Sequence, residues 1–362
     1  MSKPIVLHLG DDIKWNHDLY KTFTSHFEIK RSHSMSRPDF INALKKKAFG
    51  DFFAIYRPFW NTGGEMGNWD DELISLLPAS CKIYASAGAG FDWVDTAALA
   101  KRGTSTTPFL TITMNVNVFL GVTYCNAAAA CTESVADAAI WLIISVFRNL
   151  SWSSTAARSG DKDRFIDANK NLAPVSRNPS GFTLGIIGFG RIGRRIAEKA
   201  YKALDMKIIY NDIAQMPSSI EEPLNATFKS SDALLAEADC VVVATPFAGE
   251  TLLNKAGLSK MKRGAKLVNI ARGKLINEAD LVEALSSGHL SGAGLDVFEN
   301  EPYISPELLK MKNVELLSHN AGASLDSHIG FEKLGMENIM EFWKTGKAIS
   351  PVNAHLIKQS KL

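Results

Sequence analysis

The 362-residue sequence lacks several features that mark specialised classes of protein. Its net charge is only +2, so no excess of one sign would attract a polyanion such as a nucleic acid. No run of about 18 or more apolar residues is free of polar interruptions, and the amino-terminal segment has no signal-peptide pattern. We therefore expect neither a nucleic-acid partner nor a membrane partner.

Cysteine is also scarce. The four cysteines form no C-x-x-C pair and do not cluster with histidines, so we expect reduced thiols in an intracellular protein and no metal site. The chain is longer than a usual single domain, and 46% of its residues are apolar, which predicts two domains with sizeable cores. The cysteines are Cys81, Cys125, Cys131 and Cys240.

A glycine-rich turn is the first positive signal. Residues 182–187 (FTLGII) predict a short buried strand, and Gly188, Gly190 and Gly193 follow in the pattern G-x-G-x-x-G. An amphipathic helix, RIGRRIAEKAYKAL, begins within the pattern. A strand, a glycine turn and a helix in this order predict a dinucleotide site with the pyrophosphate at the helix N-terminus.

The next predicted strand ends in an acidic residue that indicates which dinucleotide is bound. Asp212 stands 19 positions after Gly193, close to the spacing of about 20 residues that is usual for a ribose-binding carboxylate. Residues 213–216 (IAQM) contain no cation that could accept a 2′-phosphate. The sequence therefore favours NAD over NADP.

Three further residues follow apolar strands in the second half of the chain. Arg272 ends LVNIARG, Glu301 follows GLDVFEN, and His319 lies in VELLSHNAG. Open parallel sheets bind ligands beyond the carboxyl ends of their strands, so we expect these side chains in neighbouring turns. An imidazole with a carboxylate exchanges protons near neutral pH, and an arginine binds carboxylates. This combination suits the reduction of a 2-oxo acid.

These stretches resemble the D-isomer-specific 2-hydroxyacid dehydrogenase family, with a closer likeness to fungal D-mandelate dehydrogenases. The matching text includes TLGIIGFGRIGRRIA, ADCVVVATPFAGET, LVNIARGKLINEADLVEAL, GLDVFENEP and LSHNAGAS. The resemblance is dense from about residue 182 to 323 and thinner from about 73 to 150. It implies a dehydrogenase that transfers a hydride between NAD and a small 2-hydroxy acid.

The resemblance also implies a role for each residue. Arg272 would bind and polarise the substrate, and His319, oriented by Glu301, would transfer the proton. Asp296 would bind the cofactor's carboxamide, although it could instead cap the turn that follows it. The residues expected to contact the cofactor are Gly188, Gly190, Arg191, Ile192, Gly193, Asp212, Thr245, Pro246, Ile270, Ala271, Arg272, Asp296, His319 and Gly322.

Substrate binding is expected to involve the first part of the chain. Ala89 and Gly90 follow a predicted strand, and small residues there let backbone N–H groups reach a carboxylate. Phe59 and Trp60 could line a pocket for an aryl 2-oxo acid such as benzoylformate, or could merely pack the domain. A glyoxylate or hydroxypyruvate reductase and an NAD-sensing, corepressor-like binding protein are the alternatives.

Strands alternate with helices along the chain, which predicts an α/β fold with parallel sheets. We expect two Rossmann-like or flavodoxin-like domains. Residues 1–131 and 323–362 would form the substrate domain, built from both chain ends, and residues 132–322 the NAD-binding domain. Residues 151–181 are polar and broken by proline and glycine, which predicts a surface connection. In the resembling family such a region packs at a dimer interface, so a homodimer is expected.

Two segments do not belong to this pattern. Residues 104–121 contain no charge and interrupt the family-like text, so they are either a β-rich insertion or a translated artefact of the gene model. The sequence closes with Ser360-Lys361-Leu362, the signal read by the peroxisomal import receptor. We expect a peroxisomal location, with the cytoplasm as the alternative.

Overall fold

The structure is a computed structural model that describes residues 2–59, 66–102 and 121–357. Three sequence predictions lie outside these ranges. They concern Trp60, the uncharged segment up to residue 120, and the closing Ser360-Lys361-Leu362.

The strands and helices are numbered in chain order. The strands are β1 (Ile5–Leu9), β2 (Glu28–Ser32), β3 (Ala54–Arg57), β4 (Ile83–Ser86), β5 (Thr123–Cys125), β6 (Thr183–Ile187), β7 (Lys207–Asn211), β8 (Thr227–Phe228), β9 (Cys240–Val243), β10 (Lys266–Asn269), β11 (Gly292–Leu295) and β12 (Val314–Leu316). The helices are α1 (His17–His26), α2 (Arg37–Lys45), α3 (Asp71–Ser75), α4 (Thr96–Lys101), α5 (Ala128–Arg148), α6 (Leu150–Arg158), α7 (Lys162–Asn171), α8 (Arg191–Leu204), α9 (Ser218–Glu221), α10 (Ser231–Glu237), α11 (Lys255–Ser259), α12 (Glu278–Ser286) and α13 (Leu325–Thr345). Short 3₁₀ turns lie at Ala173–Val175, Glu222–Leu224, Gly273–Leu275, Leu308–Lys310 and Ala354–Leu356.

The chain divides into two compact units. The first unit comprises Met1–Cys131 and Ser324–Leu362, and the second comprises Thr132–Ala323. The second boundary between the units lies one residue later than the sequence predicted. Helix α13 and its N-cap residue Ser324 belong to the first unit.

The first unit is built on a parallel sheet in the order β2-β1-β3-β4-β5, the strand order of flavodoxin-like folds. Its central strands are apolar because helices cover both faces. Leu7 and Ile55 belong to one core cluster, and Val6 and Ile83 belong to the other. Strand β2 was not predicted, because this edge strand carries three charged residues among its five and has no apolar run.

The second unit contains a parallel sheet in the order β12-β11-β10-β9-β6-β7-β8. From β6 the chain adds β7 and β8 on one side and then β9 to β12 on the other side, as in doubly wound dinucleotide-binding folds. Its core includes Val241, Leu267 and Ala293, one from each of three adjacent strands. Two parallel sheets with flanking helices confirm the predicted α/β class.

Residues 151–181 are mostly exposed, as expected of a surface connection, but they also contain α7 and most of α6, which the sequence analysis did not predict. Asp161 caps α7 by accepting hydrogen bonds from the N–H groups of Asp163 and Arg164, both at 2.9 Å. In the first turn of α6, the N–H of Ser151 donates a hydrogen bond to the buried carboxylate of Glu315 at 3.3 Å. This acceptor is distant in sequence and lies on β12. Local polarity therefore concealed two capped helices.

Helix α5 is the most apolar long helix of the described chain. By length and composition alone it could cross a membrane, contrary to the sequence expectation, and half of its most apolar window is buried. Leu142 and Val146 on this helix face Gly294 of β11, where an added Cβ atom would lie 3.1–3.2 Å from their side chains. This close packing against a sheet is typical of a core helix.

A buried carboxylate organises the loop between β1 and α1. Glu332 of α13 is fully buried, and its Oε1 accepts a hydrogen bond from the N–H of Lys14 at 2.7 Å. Its Oε2 accepts from the N–H groups of Trp15 and Asn16, at 3.2 and 2.9 Å, and from the Asn16 amide at 2.9 Å. Tyr56 donates to the Glu332 carbonyl at 2.8 Å. The carboxyl-terminal helix thereby fixes an amino-terminal loop within the first unit.

Replacement of this carboxylate should destabilise the first unit. Glu332→Ala leaves several N–H donors without their acceptor, so we expect the free energy of unfolding to fall by roughly 2–4 kcal/mol. Glu337→Ala, on the same helix, breaks only a loose contact with Lys333 at 3.9 Å and should cost less than about 0.5 kcal/mol. Urea unfolding followed by tryptophan fluorescence measures both. Equal losses in the two variants would contradict the anchoring role of Glu332.

Candidate active site

The glycine turn after β6 makes the close contacts that its spacing predicts. Gly188 has a φ of 95°, and a Cβ atom there would lie 2.7 Å from the carbonyl oxygen of Ala244. A Cβ atom at Gly193 would lie 2.0 Å from the carbonyl oxygen of Gly188. Both positions therefore require glycine, one for the turn and one for the packing of α8 against it.

Gly190 is open where the other two glycines are crowded. A Cβ atom there would meet nothing within 4 Å, and the residue is exposed. It is the N-cap of α8, and among the described residues no side chain caps this helix end. First-turn N–H groups, including those of Arg191 and Ile192, have no acceptor within a helix and carry partial positive charge. The turn therefore fits the pyrophosphate of a dinucleotide.

Asp212 lies directly after β7 and is joined to the glycine turn. Its Oδ2 accepts a hydrogen bond from the N–H of Phe189 at 2.6 Å, and its Oδ1 accepts from the N–H of Ile213 at 2.7 Å. An ionised carboxylate has about four acceptor sites, so both oxygens can still accept from ribose hydroxyls. The half-buried side chain is thus held in the orientation that such a contact needs.

The three predicted catalytic residues all lie beyond strand ends at one edge of the second sheet. Arg272 stands three residues after the end of β10, Glu301 six residues after β11, and His319 three residues after β12. These three strands are neighbours in the sheet. The predicted cofactor residues Thr245 and Pro246 follow β9 at the same edge. Ile270, Ala271 and Gly322 lie in the turns that carry Arg272 and His319.

Glu301 and His319 are in direct contact. Glu301 Oε2 lies 2.6 Å from His319 Nδ1, and Glu301 Oε1 accepts a hydrogen bond from the N–H of Phe298 at 2.9 Å. The two side chains are 33% and 39% exposed, so a small molecule can reach the pair. An ionised carboxylate only accepts hydrogen bonds, so Nδ1 carries a proton in this contact. Nε2 is then the ring nitrogen that can exchange a proton with a substrate.

Asp296 holds the turn that carries His319. Its carbonyl oxygen accepts from the N–H of His319 at 2.8 Å. Its carboxylate accepts from the N–H of Asn320 at 2.9 Å and from that of Ala321 at 3.1 Å. Burial raises the pKa of Asp296, and these N–H groups oppose that rise. The turn needs support because His319 has a φ of 52°. Asp296 therefore supports the turn at His319 and not the turn that follows it in sequence, and its carboxamide role stays a prediction.

Asn269 is a site residue that the sequence analysis missed. It ends β10, is buried, and accepts a hydrogen bond at Oδ1 from the N–H of Ala271 at 3.1 Å. Its Nδ2 donates to the Arg272 carbonyl at 2.9 Å, and Arg272 Nη1 donates to the Ala271 carbonyl at 2.7 Å. Asn269 thereby shapes the turn that presents Arg272. The available signal was a polar residue at the end of an apolar strand.

The residues predicted to bind substrate lie in the first unit. Ala89 and Gly90 follow β4, and the Asn126 amide donates to the Ala89 carbonyl at 2.7 Å. Phe59 follows β3 and is only 1% exposed. The contact of Ala89 and Gly90 with a substrate carboxylate stays a prediction, whereas Phe59 has mainly packing contacts.

The described ranges contain no group of three or more histidine, cysteine or acidic side chains that could hold a metal ion. All four cysteines are buried thiols that form no disulfide bond.

A dinucleotide-type glycine turn, with an imidazole–carboxylate pair at the same sheet edge, is typical of nucleotide-dependent oxidoreductases. The model of the family "D-isomer specific 2-hydroxyacid dehydrogenase, NAD binding domain" matches residues 140–321. The chain belongs to this family, which confirms the resemblance in its motifs. It is an enzyme of an NAD-dependent family that acts on the CH–OH group of 2-hydroxy acids.

Similar proteins cover nearly the whole chain. The structure of holo D-mandelate dehydrogenase from Rhodotorula graminis is 38% identical, with a TM-score of 0.89 over 97% of this chain and 98% of that one. 4-Methyl-2-oxopentanoate reductase A from Aspergillus oryzae is 33% identical over 322 residues, 88% of this chain and 89% of the relative. Glyoxylate reductase from Thermococcus gammatolerans is 36% identical over 294 residues, 81% of this chain and 82% of the relative.

Two glycines in one turn should respond differently to the same substitution. Gly193→Ala should lower the free energy of unfolding by about 1–3 kcal/mol, because its methyl group overlaps backbone. Gly190→Ala has open space and a φ of −70°, so its stability should change by less than about 0.5 kcal/mol. Its NADH affinity should nevertheless fall about tenfold or more, since the methyl group occupies the phosphate surface. Thermal unfolding and NADH fluorescence titration separate the effects. Parent affinity in Gly190→Ala would exclude this turn as the phosphate site.

Proposed function

We propose that this enzyme reduces a 2-oxo acid to the D-2-hydroxy acid, and catalyses the reverse, with His319 and Glu301 as the proton relay. The observation that carries the proposal is the 2.6 Å contact between Glu301 and His319. When bound, NAD supplies or takes up the hydride. His319 Nε2 gives its proton to the substrate oxygen during reduction and recovers it during oxidation. The Glu301 carboxylate orients the ring and stabilises its protonated form.

Arg272 is proposed to bind the substrate's carboxylate or carbonyl oxygen. A guanidinium is planar and permanently charged, so it offers paired donors that a lysine cannot reproduce. Asn269 supports this role because it fixes the backbone at Ala271 and Arg272 through both ends of its amide. Ala89 and Gly90 of the first unit are proposed to bind a substrate carboxylate through their backbone N–H groups.

We propose NAD as the cofactor in preference to NADP. Asp212 presents a carboxylate, which would repel a 2′-phosphate and accept from a 2′-hydroxyl. Ile213, directly after it, is fully exposed and apolar. Comparing kcat/KM for NADH and NADPH tests this preference.

An aryl or bulky 2-oxo acid is the proposed substrate class. Phe59 lies among aromatic rings, with centroids 6.1 Å from both Trp15 and His328. Burial, together with nearby Lys14, lowers the pKa of His328, so this ring is neutral at pH 7. Trp15 is the member that reaches solvent, at 37% exposure. The exposed part of the Trp15 ring suits an apolar substituent on the substrate. Similarity to a D-mandelate dehydrogenase structure supports the same substrate class.

A homodimer and a peroxisomal location are also proposed. The dimer rests on the resemblance of residues 151–181 to the family's interface region, and sedimentation equilibrium at micromolar concentration tests it. The location rests on Ser360-Lys361-Leu362 alone, provided that these residues form the carboxyl terminus. Microscopy of tagged protein with and without the tripeptide tests it.

Removal of the imidazole should impair proton transfer far more than cofactor binding. His319→Ala should lower kcat for 2-oxo acid reduction by about 10²–10⁴-fold, whereas the Kd for NADH should change much less, because His319 is only one of many expected cofactor contacts. Glu301→Gln should lower kcat and move the descending limb of the pH profile to lower pH, because the protonated ring loses its counter-charge. His289→Ala is the control, because that ring precedes β11, at the opposite end of the strand from Glu301, and its Nε2 lies 3.1 Å from the Leu258 carbonyl oxygen. Parent turnover in His319→Ala would refute the mechanism.

A substrate panel separates the candidate functions. We expect kcat/KM for benzoylformate to exceed that for glyoxylate and hydroxypyruvate by more than about 200-fold, beyond what one methylene group can produce. A preference for glyoxylate would instead favour the reductase alternative, which similarity to glyoxylate reductases supports. Stoichiometric NADH binding without turnover of any 2-oxo acid would indicate a binding protein.

A further inference from the structure

Two carboxylates outside the proposed catalytic residues join the Arg272 segment to the Glu301 segment. Glu299 Oε2 accepts a hydrogen bond from the N–H of Glu278 at 3.1 Å. Glu278 Oε1 accepts in return from the N–H of Glu299 at 2.9 Å. Both side chains are half-buried. Each residue is therefore donor and acceptor to the other, and we call this arrangement the glutamate latch.

The latch provides hydrogen-bond acceptors for two backbone N–H groups, those of Glu278 and Glu299. Glu278 is the first residue of α12, and first-turn N–H groups have no acceptor within their helix. Asn277 caps the N–H of Asp280 at 2.9 Å, and Glu299 accepts that of Glu278. A negative side chain at this helix end also meets the positive end of the helix dipole. On the other side, Glu299 lies beyond β11, where no strand ladder supports the chain.

The latch lies beside both proposed catalytic segments. Phe298, directly before Glu299, donates its N–H to Glu301 Oε1 at 2.9 Å, which orients the carboxylate that contacts His319. A Cβ atom at Gly273, directly after Arg272, would lie 1.9 Å from the Phe298 backbone. The backbone at 273 and at 298–299 is therefore in tight contact. The two hydrogen bonds of the latch hold the backbone at 298–299 to the N-terminus of α12.

We propose that Glu278 and Glu299 are positioning residues, which hold the loop at 298–301 so that Glu301 keeps its contact with His319. The proposal rests on the proposed role of the Glu301–His319 pair. Neither glutamate contacts a substrate or the cofactor in this role. A displacement of about 1 Å in a catalytic group can cost on the order of 10²-fold in rate, so a loosened loop should slow proton transfer.

Alanine and glutamine variants test the latch through different properties. Glu299→Ala and Glu278→Ala should each lower kcat for 2-oxo acid reduction about tenfold, with an unchanged Kd for NADH. The descending limb of the kcat/KM pH profile should move to lower pH, in the same direction as in Glu301→Gln. Glu299→Gln keeps an oxygen that can accept the Glu278 N–H, so it should retain most of the parent activity. The double alanine variant should lose more than either single one, because each single variant removes one of the two hydrogen bonds and leaves the other in place.

A matched control lies on the same helix. Asp280 Oδ2 accepts from the N–H of Lys255 at 2.7 Å, a carboxylate–backbone bond like those of the latch but directed toward α11. Asp280→Ala should lose a comparable free energy of unfolding and keep the parent pH profile. Asp296 also acts on the pair, because it interacts electrostatically with both His319 and Glu301, and it is the same in every variant.

The outcomes distinguish this inference from the proposed function. The latch is refuted if Glu299→Ala keeps the parent kcat and pH profile while Glu301→Gln is impaired. It is also refuted if Asp280→Ala shifts the profile as much as Glu299→Ala, or if Glu299→Gln is as impaired as the alanine variant. Parent activity in both His319→Ala and Glu301→Gln would remove the proposed relay itself. Should Glu299→Ala fail to fold, Glu278→Ala and Glu299→Gln provide the same comparisons.

Discussion

Parallel pairing in the second sheet determines where every reactive side chain can lie. All strands finish at one edge, so the turns after β9, β10, β11 and β12 are neighbours there. The register pairs Asn269 with Leu295 and Leu295 with Leu316, which aligns the ends of three strands. Glu301 and His319 follow β11 and β12, which are adjacent strands about 4.8 Å apart. The loops after these strands bring Glu301 Oε2 to 2.6 Å from His319 Nδ1. With another strand between them, the pair could not form without long excursions of both loops.

Several backbone N–H groups in the turns at this edge lie outside the strand-to-strand hydrogen bonding and donate to side chains instead. Carboxylates are the acceptors: Asp212 at the glycine turn, Asp296 at the His319 turn, Glu301 within its own loop, and Glu278 with Glu299 between two loops. A hydrogen bond to a charged group contributes about 1.5–3 kcal/mol, whereas an exposed ion pair contributes about 0–1 kcal/mol. Acidic side chains directed at backbone therefore shape this edge more than the many surface ion pairs do.

The parts of the site that the sequence predicts are those with a local signal. A glycine pattern between strand and helix marks the cofactor turn, and strand-end positions mark Arg272, Glu301 and His319. The glutamate latch has no such signal, because Glu278 and Glu299 are 21 residues apart and meet only when β10 and β11 pair. Helices α6 and α7 were missed for a similar reason. Their sequences are mostly polar, and the carboxylate that binds the first turn of α6 comes from β12.

Chemistry and substrate choice depend on different residues. The proposed roles of Arg272, Glu301 and His319 involve only the carboxylate and the C2 oxygen, which every 2-oxo acid possesses. These roles therefore give no discrimination between glyoxylate and an aryl acid, and relatives named for glyoxylate, mandelate and 4-methyl-2-oxopentanoate share one family with this chain. Discrimination must come from contacts with the C2 substituent. In the first unit, Trp15 is the proposed source of apolar surface, because its ring is 37% exposed, and Glu332 fixes the backbone that carries it. A change of substrate should thus require changes in the loop after β1 or β3, and none at the carboxyl edge of the second sheet.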